Sequence, residues 1–256
     1  MKRSLAILCY MLLSVGLLTA QNDLYQKKMY IHKTDTLRYR IMYPMNYDES
    51  KKYPLVIVLH GSGERGNDNE KQLVHGASLF ANAENRRNFP AIVIFPQCPS
   101  NGFWAPVSWE NNKFSYVMKS KPTEPMQLVI RLIKDLVKTK AVDSKRMYVT
   151  GLSMGGMGTF DLICRYPNMF AAAAPICGGV NIERLAKIKN MPVRIYHGAA
   201  DNIVPPAHSE EAYKKLISEG STKAKLILFQ GVGHDSWTNT FAEPDFLTWM
   251  FSNKLK

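Results

Sequence analysis

The hexapeptide Gly151-Leu152-Ser153-Met154-Gly155-Gly156 restricts this chain more than any other stretch of it. An apolar run, Arg146-Met147-Tyr148-Val149-Thr150, leads into it, and a helical pattern from Met154 to Tyr166 leads out. A serine flanked by glycines between a strand and a helix describes a turn so sharp that side chains on its shoulders would strike neighbouring backbone. The serine is then held in a strained conformation at the strand's end, its hydroxyl projecting from the sheet. The next amide, that of Met154, falls at a helix N-terminus, where unpaired N–H donors face outward toward any developing negative charge.

The remaining pattern supplies a sheet and its covering helices. Lys28 to His32 and Leu37 to Tyr43 read as two strands; in the second, Leu37, Tyr39, Ile41 and Tyr43 alternate with Arg38, Arg40 and Met42. A period of two predicts one buried and one wet face, as in an antiparallel hairpin at a sheet edge. Pro54 to Leu59 and Ala91 to Phe95 are continuous apolar runs, the mark of central strands covered on both sides. Tyr148 to Thr150, Phe170 to Ile176, Val193 to Tyr196 and Lys225 to Phe229 continue the series. Between them lie helical segments at Glu124 to Lys140, Ile182 to Ile188, Ser209 to Glu219 and Asp245 to Asn253. The first carries Leu128, Val129, Leu132, Ile133, Leu136 and Val137 on one side, with lysines and Asp135 opposite. Alternating strands and helices predict an α/β fold with a mostly parallel sheet, helices on both faces and an antiparallel N-terminal hairpin.

No linker rich in Pro, Gly or Ser divides residues 21–256, which are expected to form one catalytic domain. Residues 1–20 have the make-up of a secretory signal peptide: Lys2 and Arg3, an apolar core from Leu5 to Leu18, then Thr19-Ala20 before Gln21. That apolar core is shorter than the roughly 20 residues of a membrane span, so export to the periplasm or beyond is expected rather than stable membrane insertion. Cys98, Cys164 and Cys177 are an odd number without metal-ligand spacing, which leaves three buried thiols or a single disulfide. The formal charge is +12, or +10 without Lys2 and Arg3. The basic residues are scattered rather than clustered with aromatics, so a solvated surface is expected and nucleic acid is not an expected partner.

A serine hydroxyl needs a base beside it, and the base needs a carboxylate to fix its tautomer and stabilise its charged form. In a parallel sheet the loops leaving the strands' C-terminal ends converge on one edge. Asp201 lies on the loop after Val193 to Tyr196, and His234 on the loop after Lys225 to Phe229, between glycines at 231 and 233. Ser153, Asp201 and His234 therefore follow strands in the order nucleophile, acid, base. Each has a structural alternative: Asp201 as the cap of a helix beginning after Pro206, His234 as a satisfied loop histidine. His60, His75, His197 and His208 lack this placement, and Asp235 is kept as a neighbour of the base. Donors for an oxyanion are expected from the amides of Ser62 and Met154, with Gly61 as the alternative to Ser62. The Gly-rich run after Leu59 lacks the Gly-Lys-Ser/Thr ending of a phosphate loop. No metal or cofactor is called for.

Together, His60-Gly61-Ser62-Gly63-Glu64-Arg65-Gly66, the serine hexapeptide, Gly198-Ala199-Ala200-Asp201 and Gly233-His234 resemble the α/β-hydrolase serine esterases. The nearest groups are the secreted feruloyl, acetylxylan and polyhydroxybutyrate-depolymerase-type esterases, with prolyl-oligopeptidase-like peptidases close by. The resemblance runs from about Thr36 onward and implies hydrolysis of carboxylic esters, often aromatic or acetyl esters carried on plant cell-wall polysaccharide. A serine peptidase is the alternative it leaves. Trp104, Trp109 and Trp237 fall near the catalytic edge and are candidates to stack on an aromatic acyl group or a sugar face. Their alternative is to pack the loops shut.

Overall fold

The computed structural model describes residues 22–110, 113–117, 121–139 and 141–256. The leader expected at residues 1–20 lies outside them. Ten strands are present among the described residues: β1 (Gln26–His32), β2 (Asp35–Met42), β3 (Tyr53–Leu59), β4 (Ile92–Gln97), β5 (Val107–Glu110), β6 (Lys113–Tyr116), β7 (Val142–Leu152), β8 (Ala172–Ile176), β9 (Val193–Gly198) and β10 (Ala224–Phe229). Eight of them form one sheet in the order β1-β2-β4-β3-β7-β8-β9-β10, and β5 and β6 form a separate hairpin. From β4 to β10 every pairing in the large sheet is parallel; only β1–β2 and β2–β4 are antiparallel.

The continuous apolar runs behave as expected for strands covered twice. Leu55, Ile57 and Leu59 enter the core on one face of the sheet, and Val56 and Val58 the core on the other. The first face is covered by helix Glu124–Lys138, through Leu128, Val129, Leu132 and Ile133, and by helix Met154–Arg165. The second is covered by helices Ala77–Ala81 and Phe246–Ser252, with Phe80, Leu247 and Met250 buried. Because the central strands run in parallel, the loops after β3, β7, β8, β9 and β10 all emerge at the same edge. None of the helices among the described residues is long and apolar enough to cross a membrane.

Three expectations are corrected. Strand β2 has no wet face: Arg40 and Met42 are buried along with Leu37 and Ile41. The reason is cover: Tyr25, Leu73 and Phe80 share a buried cluster with Met42, and Asn69 and Glu70 lie over Arg40 on the same face. Burying a guanidinium requires partners, and Arg40 donates from Nε to the carbonyl of Asn69 at 2.6 Å, from Nη1 to that of Tyr25, and pairs with Glu70. The segment Ile182–Ile188 is a 3-10 helix, opened by the Asn181 side chain accepting from the Glu183 amide. Finally, the hairpin β5–β6 carries the directly opposed pair Trp109 and Phe114 on residues expected to be loop.

Replacing Arg40 with Met should leave two buried carbonyls without their donor and lower stability by about 2 kcal/mol. A guanidinium unfolding midpoint measures this, and an unchanged midpoint would contradict it.

Candidate active site

Strand β7 ends at Leu152 and the helix begins at Met154, so Ser153 alone makes the turn. Contact between layers sets its tightness. A β-carbon on Gly155 would lie 1.9 Å from the Leu59 carbonyl oxygen, and one on Gly151 would lie 2.5 Å from that of Gly155. Only glycine lets the helix start press against the end of β3. Ser153 itself sits at φ 53° and ψ −115°, a conformation that costs a side-chain-bearing residue on the order of 1–3 kcal/mol and persists only where the surroundings enforce it. They do so through its backbone: its N–H donates to Ile176 at 2.9 Å and its carbonyl accepts from Met157 at 3.0 Å.

The acid and base loops are pressed together in the same way. A β-carbon on Gly198 would stand 2.1 Å from the Gly233 carbonyl oxygen, so the backbone leaving β9 lies directly against the backbone leaving β10. This contact brings His234 between the other two side chains. Its Nε2 lies 2.9 Å from Ser153 Oγ and its Nδ1 lies 2.7 Å from Asp201 Oδ2. The carboxylate accepts only, so Nδ1 carries the proton and Nε2 is left to accept from the serine hydroxyl. Asp201 Oδ1 accepts from the amides of Ile203 and Val204, at 2.9 and 3.0 Å. It therefore caps its own turn, and the helix Ala207–Ser218 begins at Pro206 without a side-chain cap. Burial pushes the Asp201 carboxyl upward, but bonds from His197, His234 and the two amides outweigh it and hold the group far below the ordinary carboxylate range.

Cys177, fully buried at φ 38°, forms the floor. Its sulfur lies with donor atoms of Asp201 and His234 inside a 4.8 Å cluster. The carboxylate and imidazole are already bonded to each other, and burial pushes the thiol up to about 12, so it stays protonated. That chemistry suits a packed floor better than a cation cage. Cys98 and Cys164 are likewise buried and free.

The loop after β3 holds Gly61 and then the exposed Ser62, first residue of the 3-10 turn Ser62–Glu64. Met154 opens its helix, where the first N–H groups have no partner within the helix. His60 anchors this loop. Its Nε2 accepts from the Cys98 amide at 2.9 Å, its Nδ1 meets the Gly61 carbonyl at 2.6 Å, and its own carbonyl accepts from Trp104 Nε1 at 3.1 Å. Burial pushes its imidazole down to about 4, and it is spoken for as a brace.

The three tryptophans separate. Trp104 is 0% exposed, packed under the loop it hydrogen-bonds, so no substrate can touch it; its expected binding role is withdrawn. Trp109 is 54% exposed, set edge-on to Phe114 at 4.4 Å. Trp237 is half-buried, its ring 5.5 Å from that of His234 and 5.1 Å from that of His75. It lines an open cleft of ≈ 520 Å³ with His75, Leu79 and Phe241. Asp235 is exposed, and its carbonyl accepts from the Thr238 amide. His197, set aside in the sequence, lies on Asp201: Nε2 is 3.1 Å from Oδ2. Its signal was the spacing of four from Asp201, at the end of a buried strand.

A mostly parallel sheet with a serine on the sharp turn after β7, and an acid and a base on the turns after β9 and β10, defines an α/β-hydrolase fold. The chain belongs to the phospholipase/carboxylesterase family, which matches residues 45–245. It is similar to a probable feruloyl esterase C of Aspergillus oryzae, 28% identical over 212 residues, covering 82% of this chain and 72% of that protein. It also resembles a bifunctional acetylxylan esterase/xylanase of Neocallimastix patriciarum, 28% identical over 152 residues, covering 59% of this chain and 20% of the larger protein. Among solved structures, a thermostable esterase superposes with a TM-score of 0.81 at 32% identity, covering 91% of this chain and 64% of that one. A ferulic acid esterase of Anaeromyces mucronatus superposes with a TM-score of 0.65 at 15% identity, covering 89% of this chain and 90% of that one, a likeness of fold alone.

The division of the tryptophans is testable by stability. Trp104→Ala is expected to cost about 3–5 kcal/mol, whereas Trp109→Ala should stay within roughly 1 kcal/mol of the parent. Equal thermal shifts for the two would contradict the assignment.

Proposed function

We propose that this protein is a serine carboxylic-ester hydrolase in which Ser153 is the nucleophile, His234 the general base and Asp201 the orienting acid. One observation carries the reading: the unbroken hydrogen-bond chain from the Ser153 hydroxyl through His234 to the buried Asp201 carboxylate, at 2.9 and 2.7 Å. As Ser153 Oγ attacks the ester carbonyl, its proton passes to His234 Nε2 and the carbonyl oxygen gathers negative charge. The amides of Met154 and Ser62 are the proposed donors to that oxygen. Collapse expels the alcohol, which takes the proton from His234 and leaves an acyl-serine. Water, deprotonated by His234, then attacks the acyl carbon; the bond to Ser153 Oγ breaks, His234 returns the proton to that oxygen, and the acid is released. Asp201 steadies the imidazolium in both halves without taking the proton itself. The strain at Ser153 keeps the hydroxyl aimed at the substrate before binding, so no reorganisation is needed at the moment of attack.

For substrate, we propose feruloyl or acetyl esters, including those attached to plant cell-wall polysaccharide. Support comes from the probable feruloyl esterase and the acetylxylan esterase among the relatives, and from Trp237 beside the base and Trp109 on the exposed hairpin. An aromatic acyl group or sugar ring gains most from flat, partly exposed indoles of this kind. The site is open on the His234 side, whose side chain is 21% exposed, as suits an ester displayed on a polymer. Residues 1–20 support export, followed by action outside the cytoplasm as a single catalytic domain from residue 21.

Ser153→Ala should lower hydrolysis of methyl ferulate and nitrophenyl acetate by at least about 10³-fold and abolish labelling by a fluorophosphonate, with folding intact by circular dichroism. Retained turnover would remove Ser153 as nucleophile. A peptide p-nitroanilide assayed beside the esters separates an esterase from a peptidase. The acid limb of kcat/KM should fall with a slope of one proton, since Asp201 is already ionised throughout the working range; a slope of two would mean the carboxylate titrates with the base.

A further inference from the structure

The imidazole of His197 is 0% exposed, and both its nitrogens are engaged. Nε2 lies 2.8 Å from the Val204 carbonyl oxygen and 3.1 Å from Asp201 Oδ2; Nδ1 lies 2.6 Å from Ser209 Oγ. Two acceptors face Nε2, so that nitrogen carries a proton and donates. Asp201 Oδ2 thus receives two imidazoles, His234 from the solvent side and His197 from the interior, while Oδ1 receives two amides. An ionised carboxylate has about four lone-pair sites. Here all four are filled, and His197 fills the interior site on Oδ2, the oxygen that accepts no backbone amide.

Resting on the serine-hydrolase reading above, we propose that His197 is a positioning residue, and that the relay has four members: Ser153, His234, Asp201 and His197. The two amides hold only Oδ1, and His234 is itself part-exposed. Rotation of the carboxylate about its last torsion is therefore restrained from the protein side by the two amides at Oδ1 and by His197 at Oδ2, the oxygen on which His234 relies. Ser209, on helix Ala207–Ser218, fixes the ring by taking Nδ1, and its hydroxyl is 3.4 Å from the Gly178 carbonyl oxygen. His197 also draws charge from Oδ2, which divides the attraction that Asp201 exerts on the His234 imidazolium. A ring that only filled space would need neither the donor at Nε2 nor the hydroxyl at Nδ1. Other titratable groups face this cluster: Cys177 from the end of β8, Asp235 beside the base, and His208 with Glu211 from the helix, against Tyr116 of the hairpin.

The test compares His197→Phe, which keeps the ring and removes the donor, with His197→Gln, whose amide restores a donor near Nε2. Ser209→Ala is the third variant, for the case where Phe does not fold. Two readouts are followed against pH: the rate of fluorophosphonate labelling at Ser153, and kcat and KM on nitrophenyl acetate. For Phe, labelling and kcat should fall about tenfold, the effect of one lost hydrogen bond to a charged group, with KM within about twofold. The acid limb should move up by about half a pH unit, because the undivided carboxylate charge favours the protonated base. Gln should return the limb to its original place and recover most of the rate; Ser209→Ala should move the limb in the same direction as Phe by a smaller amount. Equal losses for Phe and Gln with a stationary limb would mean a packing role and overturn the proposal, as would an unchanged pH profile in Ser209→Ala. If the parent protein is neither labelled nor active on any ester, the hydrolase reading fails and takes this inference with it; an active parent with unaffected variants sinks the inference alone.

Discussion

The carbonyl of Leu59 and the α-carbon of Gly155 leave no room between them for a methyl group, and that contact organises the catalytic edge. It seats the helix Met154–Arg165 at the mouth of β7 and against the end of β3, which forces the chain to reverse within a single residue. Ser153 absorbs the reversal as backbone strain. The bonds that hold it there come from β8 and from the helix's own first turn, so strain at one residue is balanced by order in two elements. The helix can sit so close because it is buried from Met154 to Cys164, and its apolar contacts supply what the strained serine costs.

Electrostatics follows from the same crowding. The backbones leaving β9 and β10 touch at Gly198 and Gly233, so the carboxylate and the imidazole they carry lie close together with little water between. A charge in such a place is tolerable only when it is saturated with donors. Asp201 is saturated, which is why it stays ionised despite its burial. His60 is treated in the opposite way: its surroundings offer one amide to accept from and one carbonyl to donate to, and burial keeps it uncharged. Of two buried histidines at the ends of β3 and β9, one braces a loop in neutral form and the other grips the acid. The part-exposed His234 alone is left with a free face for proton transfer.

The hairpin β5–β6 packs Phe114 and Tyr116 on His208 and leaves Trp109 outside. Trp237 closes one side of the base while opening onto a cleft. The three side chains of the hydrogen-bonded chain are thus held at strand ends and a helix start, while Trp109 and Trp237 lie on a hairpin and a short helix outside them.

Much of the fold was legible in the residues. Continuous apolar runs identified β3, β4 and the parallel strands that follow, because a strand covered twice has no polar positions to alternate. Glycines at 151 and 155 announced the turn, and the order serine, aspartate, histidine matched three loops that a parallel sheet must bring to one edge. What the chain does not display locally is which side chains face one another across that edge. Trp104 and Trp109 are five residues apart and alike in sequence, yet one is sealed beneath the His60 loop and the other stands in solvent. Arg40 alternates like a solvent-facing residue, but Tyr25, Asn69 and Glu70 fold over it. His197 has no motif of its own; its meaning comes from a carboxylate folded back onto it and a serine on the next helix. Local pattern sets periodicity and turns because those depend on near neighbours. The identity of a residue's partners depends on packing between segments distant in sequence, and only the folded structure decided it.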